Sequence, residues 1–161
     1  ELPFTIVHTP NELSAEQAQQ VLSVWQAHKA LPDSIDPTER LQQVEGLAYT
    51  PEGEICGIFT CYEQINPQIK RRFHHIRTFV TPEYRQSRVA ITMYEQVIKR
   101  LERDFVEGRQ SQCIGMILEL ENQSMAKHLN RAVWRVFPCV YIGDNAEGNR
   151  VYVYYFEGAT I

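Results

Sequence analysis

The stretch from Phe73 to Asp104, FHHIRTFVTPEYRQSRVAITMYEQVIKRLERD, constrains the fold more than any other part of the chain. Phe73 to Val80 reads as a strand, and Val89, Met93, Val97 and Leu101 recur at helical spacing in a segment from about Gln86 to Arg103. Pro82 fixes one backbone angle and biases Thr81 toward extended geometry, so the strand stops there. Arg85, Gln86 and Ser87 are then expected to enter the helix with several unpaired backbone N–H groups. A strand that feeds a helix N-terminus through a short turn suits an anion, because the free N–H groups and the helix dipole point to the same place. Chemistry, if the chain does any, is expected around this turn.

The flanking segments fill in the rest of a sheet. Phe4, Ile6 and His8 alternate with Thr5 and Val7, an opening strand ended by Pro10 and Asn11. Ser14 with Gln17 three residues on predicts a capped helix whose apolar face is Ala18, Val21, Leu22 and Trp25, ended by Pro32. Asp36 and Pro37 stand at cap and first-turn positions of a short second helix within Asp33 to Val44. Leu47 to Thr50 and Glu54 to Glu63 flank Pro51, Glu52 and Gly53, the composition of a hairpin turn. Gly108 closes the central helix, and the apolar run from Gln112 to Glu121 suits a strand in the middle of a sheet. A helix from about Gln123 to Arg135 is expected next, then a hairpin of Cys139 to Ile142 and Arg150 to Phe156. This order predicts an α+β or mixed α/β fold: one domain over residues 1–161, with a mixed, mostly antiparallel sheet of about seven strands and about four helices.

Composition sets outer limits. With 161 residues, 43% of them hydrophobic and 22% charged, the chain can bury one ordinary core, and no apolar run reaches the roughly 20 residues that span a bilayer. A net charge of -4 argues against a nucleic-acid partner. Arg71, Arg72 and Arg77 read as a solvated face offset by nearby acids. Cys56, Cys61, Cys113 and Cys139 form no close pair, so buried reduced thiols are expected. No metal site is expected, since His74 and His75 are adjacent, point opposite ways on a strand, and no Cys/His spacing completes a ligand set. No secretory signal pattern opens the chain, which begins at Glu1 without a methionine, and a cytoplasmic setting is the expectation.

The element order and the residues VTPEYRQSRVA, Val80 to Ala90, resemble the GNAT superfamily of acyl-CoA-dependent N-acyltransferases, over nearly the whole chain. In that family a strand ending in Val-x-Pro-Glu-Tyr-Arg runs into Arg/Gln-x-x-Gly-x-Gly/Ala, whose amides bind the pyrophosphate of coenzyme A. The resemblance implies a donor site built from Phe79, Val80, Arg85, Gln86, Ser87, Arg88, Val89 and Ala90, with Asn122 near the pantetheine arm. The donor would be acetyl-CoA or another acyl-CoA, and the acceptor a primary amine of a small molecule or peptide. The family's central glycine is Arg88 here. Its guanidinium either obstructs the site or swings out to pair with a phosphate.

Acyl transfer needs a base for the amine, an oxyanion stabiliser and a proton for the thiolate. By resemblance the Val80 amide polarises the thioester. Counting eleven residues back from Arg85, the family's glutamate base falls on His74, whose ordinary pKa suits the role. Against this stands the reading that His74 and His75 merely top a strand near solvent, with Glu63 and Glu119 as rival bases that would otherwise be solvated or paired carboxylates. The family's tyrosine acid falls on Leu129, so Tyr141 or Tyr94 substitutes, or the thiolate leaves unassisted or with help from water. Two other functions fit the same residues: an inactive GNAT-like regulatory or interaction domain, and an acyltransferase using a donor carried on a protein. An exposed final strand leaves room for a homodimer through edge pairing.

Overall fold

The computed structural model describes residues 3–9, 12–110, 112–120, 127, 130–135 and 138–161. The elements are β1 (Thr5–His8), α1 (Ala15–Ala27), α2 (Pro37–Leu41), β2 (Val44–Tyr49), β3 (Ile55–Ile65), β4 (Arg72–Val80), a 3-10 turn (Pro82–Tyr84), α3 (Val89–Val106), β5 (Gly115–Leu120), β6 (Val140–Asp144) and β7 (Arg150–Tyr155). The strands form one seven-stranded sheet in the order β1-β2-β3-β4-β5-β7-β6. β4 and β5 run parallel, and the pairs β1–β2, β2–β3, β5–β7 and β6–β7 are antiparallel. This is the mixed α+β architecture expected from the element order. The chain divides into two compact units, Glu1–Cys61 with Thr78–Val97, and Tyr62–Arg77 with Ile98–Ile161.

In the first unit, local chemistry starts α1 and α2 where the sequence predicts. Ser14 Oγ accepts from the Gln17 N–H at 3.1 Å while Gln17 Oε1 accepts from the Ser14 N–H at 2.9 Å, a complete capping box for α1. Asp36 Oδ1 accepts from the Thr38 N–H at 2.9 Å, and Pro37 occupies the first turn of α2. That helix is shorter than expected: Gln42 and Gln43 N–H bond to the Glu39 and Arg40 carbonyls, a tightened last turn, and Val44 opens β2. The β2–β3 turn closes through Gly53 at φ +85, where its N–H donates to the Thr50 carbonyl at 2.9 Å. Val21 and Trp25 from α1 pack with Val44, Leu47, Ile55 and Ile58. Burial of each such side chain contributes about 1.5–3 kcal/mol. Gly57 on β3 lets α3 approach closely, since a Cβ there would lie 2.8 Å from Val89 Cγ1 and 3.0 Å from Met93 Sδ.

In the second unit, Phe73, Ile117, Val151 and Val153 form the core. The parallel ladder between β4 and β5 joins His74 to Met116, His75 to Ile117 and Ile76 to Leu118. α3 ends as predicted: Gly108 takes φ +74, and the Arg109 N–H returns to the Asp104 carbonyl at 2.8 Å. The guanidinium of Arg109 then pairs with Asp104 at 2.7 Å and with Glu107. Gly115 admits no side chain, because a Cβ would lie 2.1 Å from the Tyr154 carbonyl oxygen.

The helix expected over 123–135 does not reach its predicted end. Residue 127 is helical, but 130–135 are not. There the backbone serves β6 instead: Val133 bridges to Val140, the Trp134 N–H donates to the Cys139 carbonyl at 3.1 Å, and the Tyr141 N–H donates to the Ala132 carbonyl at 2.8 Å. Those tertiary bonds outweigh the weak helical propensity of Val133 and Trp134. All four cysteines are buried thiols outside any disulfide, as expected. No helix among the described residues is long and apolar enough to cross a membrane.

Candidate active site

The turn after β4 is built from its own carbonyls. The Thr81 N–H donates to the Cys56 carbonyl at 2.9 Å, which seats the strand end on β3. The N–H groups of Tyr84, Arg85 and Ser87 donate to the carbonyls of Thr81, Pro82 and Tyr84 at 2.9, 3.4 and 3.0 Å. Ser87 Oγ donates to the Tyr84 carbonyl at 2.5 Å and accepts from the Val89 N–H at 3.3 Å. The first helical bond runs from the Thr92 N–H to the Arg88 carbonyl at 2.9 Å, so Arg88 is the N-cap and α3 begins at Val89 rather than near Gln86. This revises which amides are left over. Arg85 and Ser87 are bonded within the turn, whereas the N–H groups of Gln86, Arg88, Ala90 and Ile91 find no acceptor among the described residues.

The side chains sort by role. Tyr84 is buried and its hydroxyl donates to the Pro3 carbonyl at 3.2 Å. Arg85 is exposed; its Nε–H donates to the Val80 carbonyl at 3.1 Å, and its guanidinium lies 5.9 Å from the Phe79 ring centre. Gln86 and Arg88 are exposed, and neither side chain has a hydrogen bond or ion pair with a described residue. Val89 is fully buried, and Phe79 and Val80 are half-buried. Beside the turn opens a cavity of about 530 Å³, lined by Gln20 and Ser23 of α1, His28 that caps its C-terminus, Glu54 after the β2–β3 turn, and Thr81 and Glu83. The sequence points for acceptor specificity to the two N-terminal helices, their loop near Leu31 to Asp36 and the last hairpin; of these α1 lines the cavity, together with the β2–β3 turn.

The second unit holds the predicted histidines. His74 and His75 are both buried, which corrects the reading that they top a strand near solvent. Burial pulls the His74 pKa below its usual range, with Arg100 acting the same way and Glu63 and Asp104 opposing. Burial, then Arg77 and His74, takes His75 down to about 4. His75 stacks on Tyr62 with ring centres 5.1 Å apart, and the Arg77 guanidinium lies 4.4 Å from the Tyr62 ring centre. The ligating atoms of Glu63, His74 and Cys113 lie within 4.8 Å of one another. Burial, then Glu63, pushes the Cys113 thiol up to about 12.

Of the remaining candidates, Tyr141 is exposed, and its hydroxyl donates to Asp144 Oδ1 at 3.0 Å, which together with partial burial raises its pKa. Glu119 accepts from Asn145 Nδ2 at 3.0 Å and so serves the β6–β7 turn. Tyr94, in the first unit, is buried edge-on against Phe59 at 5.5 Å. Asn122 and Leu129 lie outside the described residues.

No protein-family model matches this sequence, and no curated protein matches it significantly. Solved structures do match. NAA60 from Arabidopsis thaliana in complex with acetyl-CoA superposes with a TM-score of 0.58 at 14% identity, over 96% of this chain and 100% of that one. A GNAT-family acetyltransferase from Streptococcus pneumoniae gives 0.55 at 12%, over 94% and 96%. The chain has the GNAT fold. The loading GNATL domain of CurA from Lyngbya majuscula gives 0.59 at 9%, over 98% and 100%, so the likeness extends end to end across several GNAT structures. In the GNAT fold described here, the resemblance read from VTPEYRQSRVA falls on the 3-10 turn and the start of α3.

Proposed function

We propose that this protein is an acyl-CoA-dependent N-acyltransferase, with acetyl-CoA the donor to test first, acting on a primary amine of a small molecule or peptide by direct attack in a ternary complex. The observation that carries this reading is the α3 N-terminus. There the Arg88, Ala90 and Ile91 N–H groups and the Arg88 guanidinium, unpaired among the described residues, stand at the predicted pyrophosphate position. The exposure of Arg88 favours the phosphate-pairing role over obstruction.

The bound donor supplies an activated thioester carbonyl. The Val80 amide is the oxyanion donor in this reading, on the part of β4 that runs beyond the ladder with β5. His74 is the base: its lowered pKa keeps the imidazole neutral at pH 7, and its burial requires a water to relay the proton. The C–N bond forms as the C–S bond breaks, and the thiolate leaves unassisted or takes a proton from water. Tyr141 remains a weaker candidate for the acid, because its proton is already committed to Asp144. Glu54 and Glu83, two carboxylates on a cavity with no lysine or arginine in its lining, suit a cationic amine as acceptor.

Calorimetry with coenzyme A tests the donor half. Binding is expected, and Arg88→Gly should weaken it at least about 10-fold, the loss of one charge-assisted hydrogen bond. Absence of heat and of any thermal shift at millimolar coenzyme A would sink the proposal. Tighter binding by Arg88→Gly would instead favour the second reading, a GNAT-like interaction domain whose donor site is blocked. His74→Ala should lower turnover at neutral pH and leave coenzyme A affinity unchanged.

A further inference from the structure

We propose that Glu63, His74 and Cys113 form a binding site for a thiophilic divalent cation, Zn2+ being the ion they fit best. The three residues come from the end of β3, the middle of β4 and the approach to β5, so no spacing in the sequence announces them. Their ligating atoms already lie within 4.8 Å of one another. With zinc bonds of roughly 2.0–2.3 Å, neighbouring ligands of a tetrahedral site stand about 3.3–3.7 Å apart. Closure therefore asks for no more than about 1.5 Å, the scale of a side-chain rotation.

Two ligands are buried and held by their backbones, and the third is exposed. His74 is fixed by its strand, paired to Met116 of β5. Cys113 is clasped by Gln110, whose Oε1 accepts from the Cys113 N–H at 3.2 Å and whose Nε2 donates to the Cys113 carbonyl at 3.3 Å. Glu63 is the exposed one: its side chain is 47% exposed, it is hydrogen-bonded to Cys113, and its tie to the 37%-exposed Arg72 is a 3.9 Å ion pair of the kind that contributes little. It offers both the entry path and the final ligand.

Charge and donor type agree. A thiolate and a carboxylate neutralise a divalent cation, which lets the set sit beside the fully buried Cys113 and the 5%-exposed His74. Coordination would release the thiol proton of Cys113 to solvent. Sulfur, nitrogen and a single carboxylate do not suit Ca2+ or Mg2+, which take six or more oxygen ligands. Three protein ligands leave a fourth position for water. An ion on His74 also removes that imidazole as a base, so the loaded protein would be an inhibited form of the transferase proposed above.

The test is binding, independent of turnover. Metal-stripped protein is titrated with Zn2+ by calorimetry and with Co2+ by absorbance. One ion per chain is expected, with a thiolate-to-cobalt charge-transfer band. Cys113→Ser should abolish that band and weaken Zn2+ at least about 100-fold, and Glu63→Gln, on an exposed side chain that spares the fold, about 10-fold. His8→Ala, on an exposed strand of the other unit, should change neither. No saturable binding at millimolar Zn2+, or binding unaffected by Glu63→Gln and Cys113→Ser, overturns the proposal. If Cys113→Ser fails to fold, unchanged affinity in Glu63→Gln overturns it alone.

Discussion

Gly57→Ala probes the packing that seats the turn after β4. The new methyl would meet Val89 Cγ1 at 2.8 Å, Met93 Sδ at 3.0 Å and Ala48 Cβ at 3.2 Å. Met93 can swing its flexible thioether aside, but Val89 is β-branched, fully buried and the first residue of α3. The helix start must therefore move or the core must strain, at a cost of about 1–3 kcal/mol. For a chain of this size that is a fall in Tm of roughly 2–12 °C. Val89→Ala alone removes two methyl groups from the core and should cost a similar amount, mostly through the cavity it leaves. In the double variant the methyl added by Gly57→Ala occupies part of that space. Urea denaturation of all four proteins completes the cycle, with an expected favourable coupling of about 1 kcal/mol or more. Strict additivity, or a Gly57→Ala variant as stable as the parent, would refute the close approach of α3 to β3. Coenzyme A affinity of Gly57→Ala should drop as well, since the amides of the turn move with Val89.

Gly115→Ala should be far more damaging than Gly57→Ala, because its Cβ would meet the backbone oxygen of Tyr154, which cannot rotate away; insoluble expression or a loss above about 4 kcal/mol is expected, and a soluble protein of parental Tm would contradict the register of β5 with β7. Ser14→Ala removes the acceptor of the α1 capping box and should cost about 1 kcal/mol by urea denaturation. His75 has a folded pKa of about 4, below the unfolded value, so the unfolded chain binds more protons between pH 6.5 and 4. Its contribution to stability is complete above about pH 6.5 and is lost as the pH falls toward 4, at up to about 1.4 kcal/mol per unit. His75→Gln should flatten that decline, and an unchanged acid slope would show that His75 is not buried neutral.

What was legible in the sequence was what neighbouring residues decide among themselves. Ser14 and Gln17, Asp36 and Pro37, and Gly108 all mark helix ends because caps act within one turn, and each is found in place. Pro82 stops β4 for the same reason. The start of α3 was missed by about three residues because Ser87 spends its hydroxyl and amide on the Tyr84 carbonyl, a turn chemistry that helical periodicity does not register. Residues 130–135 were misread because their backbone partners, Cys139 and Tyr141, lie across a turn. The candidate site divides in the same way. Val80 to Ala90 could be read as one local run, whereas Glu63, His74 and Cys113 are gathered only by strand pairing over long separations, and the cavity beside the turn depends on a helix some fifty residues upstream.

The bonds that build the turn have a kinetic and thermodynamic meaning for any ligand that lands there. Tyr84, Arg85 and Ser87 spend their amides inside the turn, the Thr81 N–H is bonded to the Cys56 carbonyl of β3, and the Tyr84 hydroxyl ties the turn to Pro3. The loop is thus ordered before a ligand arrives, and the ordering entropy is charged to folding rather than to association. A flexible loop would surrender about 0.5–1.5 kcal/mol for each side chain it immobilised on binding. Here that penalty falls on exposed side chains such as Gln86 and Arg88, which make no hydrogen bond or ion pair with a described residue. For the donor proposed above, affinity here would rest on Arg88 and on the unbonded amides of Gln86, Arg88, Ala90 and Ile91, and a change of donor would be met by reorienting Arg88 while the backbone stays as it is.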